Sequence, residues 1–215
     1  MRAAGGVFTW RRTWHHVRAR ERRALFWAFF ERPAGNGATT LYGGEGVADL
    51  VRRRRHSIEH IVPRGRLARW LRDAPPRVRN GACANPINLS AEDARLNTAR
   101  GELPFDLDGD PVVLPRRWVR QGRATVAVGP DAEGEWVPPA RSRGDIARTV
   151  LYMQLVYALP LALDPRWLAW AAEDPPSPTE RAFHAWTRRR WGISNPLVDD
   201  PRWILRLAAG APAGG

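Results

Sequence analysis

Residues 144–159, GDIARTVLYMQLVYAL, read as a helix with Ile146, Val150, Met153 and Tyr157 on one stripe and Ala147 and Leu151 beside it. A stripe that apolar must be buried, and 215 residues suffice to build the core that buries it as a single domain. Other elements arrange themselves around this helix. Residues 14–32 pattern as an amphipathic helix, with Val17, Ala24, Leu25, Trp27 and Phe29 set among arginines. The glycine-rich stretch 35–46 is a loop that lacks the lysine–serine pair and the strand–turn–helix frame of a phosphate cradle. Residues 49–55 form a short basic segment.

Residues 57–62 alternate as a strand, and Pro63-Arg64-Gly65 turns the chain. Residues 67–71 give one or two helical turns, ended by Pro75-Pro76. Ser90 and Asp93 have capping-box spacing and open a helix that runs to about Arg100 and stops at Gly101. Residues 112–128 alternate as strands. Ser177-Pro178-Thr179-Glu180 is a capping box for a helix through Trp191, ended by Gly192. Residues 208–215 read as a disordered tail. The pattern is α+β, with a small antiparallel sheet among several helices.

The formal net charge is +12, and all 34 basic residues are arginine. Such a balance favours a polyanionic partner, nucleic acid before an anionic membrane surface. The single cysteine, Cys83, excludes an intramolecular disulfide and a multi-cysteine zinc site, and reads as an inert buried thiol. The apolar run 24–30 is too short to span a bilayer and lacks the shape of a signal peptide, so the cytoplasm is favoured over export.

Glu59 and His60 are adjacent at the end of the predicted strand, and Asn97 and Arg100 share a face of a later helix. Taken alone, a Glu-His pair on a strand is an ordinary surface or half-buried position. Together these residues also match the needs of phosphodiester hydrolysis. A neutral histidine can take a proton from water. A hard divalent ion such as Mg²⁺, which takes only one or two protein oxygens, can offset the charge that develops on the phosphoryl group.

Four ordered stretches carry a family resemblance: EHIVPRG at 59–65, NLSAEDARLNTARGELPF at 88–105, EWVPPARSRGDIARTVLYM at 135–153 and ERAFHAWTRRRWGISNPLVDDP at 180–201. In them the chain resembles the endonuclease I family of nonspecific ββα-metal (His-Me finger) nucleases. The resemblance implies a ββα-metal core over about residues 56–101, an N-terminal helical segment over 14–32 and a C-terminal helical part over 144–205, in one nuclease domain spanning 1–207. It implies His60 as general base and Glu59 and Asn97 as ligands of Mg²⁺, with Mn²⁺ or Ca²⁺ as alternatives. Arg79 and Arg100 become contacts to the phosphate, DNA the substrate with RNA as a second, and a monomer the working form. Asp145 and Arg148 are expected to be structural, as a helix N-terminal acid and a buried ion pair or scaffold hydrogen bond. His56 is expected at a strand edge, and His184 on a helix surface. The chain departs from the family's pattern at Ile87 and over 191–197. The rival reading is a non-catalytic basic nucleic-acid-binding protein derived from a nuclease fold.

Overall fold

The computed structural model describes residues 19–32, 37–108, 129–130, 134–161 and 163–210. The strands expected over 112–128, His15 and His16, and residues 211–215 lie outside them. Ten helices occur among the described residues: α1 Ala19–Phe30, α2 Val47–Arg52, α3 Arg64–Trp70, α4 Pro76–Ala84, α5 Ala94–Arg100, α6 Ala140–Tyr157, α7 Pro165–Glu173, α8 Pro178–Trp191, α9 Pro196–Asp199 and α10 Arg202–Gly210. Strand β1, His56–His60, pairs antiparallel with β2, Leu89–Asp93, and a minimal pair joins β3, Gly129–Pro130, to β4, Trp136–Val137. The fold is α+β, predominantly helical, with a small antiparallel two-stranded sheet beside the central helix α6.

Helix α6 is buried along most of its length, including Ile146, Ala147, Leu151 and Met153. It packs chiefly on α7. At Gly144 the backbone of α6 and that at the end of α7 approach so closely that a Cβ would lie 1.9 Å from the Asp174 carbonyl oxygen, so no larger residue fits there. Arg148, with 0% of its side chain exposed, joins α6 to α7 and α8. Its guanidinium bonds both oxygens of Glu180, at 3.0 and 2.6 Å, and Oδ1 of Asp145 at 2.6 Å. It also donates to the carbonyls of Ala171 and Asp174. The expected scaffold role of Arg148 and Asp145 is seen, although α6 begins at Ala140, directly after Pro139, and so places Asp145 inside the helix.

Several local expectations are corrected. Ser90 does not cap a helix. Residues 89–93 form β2 because their backbone is paired with β1, and Asp93 caps α5 by accepting from the Arg95 N–H at 2.7 Å. Pro75-Pro76 is followed by helix α4, because Pro76 occupies the first helical position, where its missing N–H costs nothing. Residues 208–210 belong to α10 and not to a disordered tail. The Ser177 cap of α8 is present, with Oγ accepting from the Glu180 N–H at 3.0 Å, and Gly192 ends that helix at φ 69°.

His184 lies in the core and not on a surface: it is 4% exposed, and its Nδ1 accepts from the Asn195 N–H at 3.2 Å. Burial pushes its pKa down to about 4, against the opposing pull of Glu180 and Asp199. The folded imidazole therefore refuses a proton that the unfolded one takes near about 6.5. The stability this group contributes is complete above that value and is lost as pH falls from there toward about 4, roughly 3 kcal/mol in all. Urea titrations at about pH 7.5 and about pH 4 should show wild type losing that much more than His184→Asn, which keeps an acceptor where Nδ1 stands. Equal losses in both proteins would remove His184 as the source.

Candidate active site

Extended backbone sends alternate side chains to opposite faces of a strand. On one face of the β1–β2 pair, Ile58, Leu89 and Ala91 pack with Phe26, Ala38 and Val47 from α1, the following loop and α2. Ser57, Glu59 and Glu92 lie on the other face, which α5 and residues 40–43 cover. Strand β2 leads straight into α5, so Asn97 and Arg100, one turn apart, both reach β1.

Asn97 donates from Nδ2 to Ser57 Oγ at 2.8 Å and to the Ile58 carbonyl at 3.1 Å. The Ile58 carbonyl can only accept, which fixes the orientation of the carboxamide and leaves Oδ1 as its acceptor oxygen. Glu59 is 2% exposed. Its Oε1 accepts from the Tyr42 hydroxyl at 2.8 Å and pairs with Arg100 at 3.0 Å. Burial pushes the Glu59 carboxyl up, while Arg100, the Tyr42 hydroxyl and the His60 backbone N–H pull it down. The structure thus brings Glu59, Asn97 and Arg100 together across β1 and α5.

His60, as the next residue along the strand, leaves the backbone on the opposite side from Glu59. It meets α4, where its ring forms a hydrogen bond with the Cys83 backbone. The only acceptor a backbone offers is its carbonyl, so one ring nitrogen is the donor there and the other is left as a base. Burial, followed by the nearby Arg64 charge, lowers the His60 pKa to about 4, so the ring is neutral at pH 7. The chain beyond it is fixed by Asn88, which is fully buried. Asn88 accepts from the Val62 N–H at 2.7 Å and donates to the Val62 carbonyl at 2.8 Å.

Arg100 stands differently from the phosphate contact expected of it. It is 1% exposed, and its guanidinium donates to the carbonyls of His60, at 3.1 Å, and Ile61, at 2.8 Å, besides pairing with Glu59. Its planar fork is taken up in fixing the end of β1, and the Phe105 ring covers it at 4.5 Å. Arg79 is half-buried on α4, one turn before Cys83, with a hydrogen bond of 3.4 Å to the Arg72 carbonyl. Burial raises the Cys83 thiol, and the charges of Arg64 and Arg79 oppose that rise. Cys83 is half-buried and contributes through its backbone.

Three participants were missed in the sequence: Arg64, Asn88 and Tyr42. Arg64 and Asn88 lie inside the quoted stretches 59–65 and 88–105 and had a signal there. Tyr42 had none, because it sits in a glycine-rich loop and gains its role from a partner 17 residues away. Among the described residues no cluster of three or more His, Cys, Asp or Glu could hold a metal ion. Of the two carboxylates on this face, Glu92 accepts from the Tyr42 and Asp93 N–H groups. Glu59 and the Asn97 carboxamide make two oxygen ligands, the number that Mg²⁺ commonly takes while keeping its waters. Scanned against models of known protein families, the chain matches none, and no curated protein matches its sequence.

Proposed function

We propose that the chain is a Mg²⁺-dependent, sequence-nonspecific endonuclease of the ββα-metal (His-Me finger) kind. On this reading it hydrolyses DNA, and RNA as a second substrate, to products with 5′-phosphates, and works as a monomer. The observation that carries the reading is the strand–strand–helix arrangement. In it the amide nitrogen of Asn97 is held on the Glu59 face of β1, and the next residue along the strand, on its other face, is a neutral His60.

Glu59 and Asn97 are the residues that would hold the divalent ion. When bound, the ion supplies the positive charge that offsets the phosphoryl oxygens and the leaving 3′ oxygen. His60 takes the proton of the attacking water through the nitrogen not committed to Cys83. The Cys83 carbonyl and the Asn88 clamp hold the imidazole and its backbone in place, so no reorientation is needed when the proton moves. Arg64 and Arg79 bring positive charge to the His60 side of the strand, the side opposite Glu59. Contacts of arginine with phosphate position the backbone of a nucleic acid without reading its bases, which accounts for nonspecificity.

One observation favours the rival binding-only reading: Glu59 already has a cation, Arg100, at 3.0 Å, so the fold does not need a metal to neutralise it. Plasmid and RNA cleavage assays with a metal titration separate the two. The nuclease reading expects EDTA to abolish cleavage and leave a gel-shifted complex intact. Binding without cleavage in Mg²⁺, Mn²⁺ and Ca²⁺ alike would favour the binding protein.

A further inference from the structure

We propose that Tyr42 is a positioning residue for Glu59, setting which of its carboxylate oxygens is offered to the divalent ion. This rests on the reading of Glu59 as a metal ligand given above. Tyr42 is fully buried, and its ring lies 5.2 Å from that of Trp136, at an interplanar angle of 62°. Its backbone is held from two sides: its N–H donates to Glu92, and its carbonyl accepts from Arg141 at 2.9 Å. The residue before it is held too, since Ser142 donates to the Leu41 carbonyl. A ring and backbone fixed so completely leave the hydroxyl a single direction, and along it lies Glu59 Oε1 at 2.8 Å.

Arg100 pairs with the same oxygen at 3.0 Å. With two side-chain donors converging on Oε1, and the His60 backbone N–H as a third donor to the carboxylate, the group cannot rotate freely about its last bond. Asn97 lies one turn from Arg100 on α5, and its amide bonds Ser57 Oγ, on the same face of β1 as Glu59. On the metal-ligand reading its Oδ1 is the second protein oxygen for the ion. Without the hydroxyl, Arg100 becomes the only side-chain donor on Glu59. The carboxylate can then turn to give Arg100 both oxygens, a fork that competes directly with an ion.

The test is Mn²⁺ binding to the full chain, followed by the electron paramagnetic resonance signal of the free ion. Wild type is compared with Tyr42→Phe and with Tyr152→Phe, which removes a buried hydroxyl from a different network, the one around Asn85. Groups that orient a metal ligand are commonly worth about 10–100-fold in metal affinity. Tyr42→Phe should weaken Mn²⁺ binding by at least about tenfold and shift the metal needed for half-maximal nicking equally, with kcat at saturating metal within about twofold of wild type. Tyr152→Phe should bind as wild type does. Equal affinity in Tyr42→Phe and wild type overturns the proposal, and so does an equal loss in both variants, which would mark a general effect of losing a buried hydroxyl. If Tyr42→Phe does not fold, 3-fluorotyrosine at position 42, whose more acidic hydroxyl changes the bond to Glu59, must alter the affinity by at least about twofold. An unchanged affinity there overturns the proposal as well. A wild-type chain that binds no Mn²⁺ at all would instead remove the metal-ligand reading of Glu59 and the proposal with it.

Discussion

His60→Ala is expected to lose about 10²–10⁴-fold in turnover on plasmid DNA in Mg²⁺, the usual worth of a positioned general base. The imidazole is half-buried, and its bond to the Cys83 backbone sets the direction of the remaining nitrogen. Its removal takes away the proton acceptor but leaves Glu59, Asn97 and the arginines of the surface in place. DNA affinity in a gel-shift titration should therefore stay within about threefold of wild type, because the electrostatic part of binding belongs to the arginines. The effect on kcat and the effect on binding are thus expected to separate. Nicking by His60→Ala equal to that of wild type would exclude a His60 base. A parallel loss of binding and turnover would make His60 a structural residue of the α3–α4 junction.

Arg148→Met is expected to destabilise the fold by about 3–5 kcal/mol, the cost of leaving buried carboxylates without their cation. Arg148 is fully buried and bonds Glu180 through two nitrogens, Asp145 through one, and two carbonyls at the end of α7. Burial, and then the Glu180 charge, already hold Asp145 well above the usual carboxylate range. Methionine fills much of the volume but leaves Glu180 charged and unpaired, with the carbonyls of Ala171 and Asp174 without donors. A urea titration should show the loss, and the melting temperature should fall by roughly 10 °C. Arg148→Met combined with Glu180→Gln should recover part of it, since the penalty lies mainly in the orphaned charge. A single-variant loss below about 1 kcal/mol would mean that Arg148 is not the junction between α6, α7 and α8.

What was legible in the sequence is what local pattern controls. The alternation around His56–His60, the apolar stripe of α6, and the Ser177 and Gly192 ends of α8 each follow from a few consecutive residues, and each appears in the structure. The spacing of Asn97 and Arg100 correctly placed them on one face of one helix. Ser90–Asp93 was misread because Ser–x–x–Asp satisfies a capping box locally, while the pairing with β1, some 30 residues away, decides for a strand. Arg100 was expected at the phosphate from the family resemblance, which says nothing of its burial. Only the convergence of the His60 and Ile61 carbonyls with Glu59 makes a buried guanidinium stable there. His184 was assigned to a surface from its place one turn into a helix. Its acceptor role toward Asn195 exists only once α8 has turned at Gly192 and the chain has folded back. Glu59, His60 and Asn97 could be named in advance as candidates, and Asn88 lay in a quoted stretch, whereas Tyr42 and the Cys83 backbone depend on contacts that no local pattern encodes.

The most direct measurement is an anomalous difference map from crystals of the full chain grown with Mn²⁺. The expected result is one strong peak within coordination distance of a Glu59 carboxylate oxygen and of Asn97 Oδ1, on the α5 side of β1. Ordered Mn²⁺ elsewhere, or none, with Glu59 still paired to Arg100 and Tyr42 and with Asn97 Oδ1 facing solvent, would contradict a metal-dependent active site at the end of this strand.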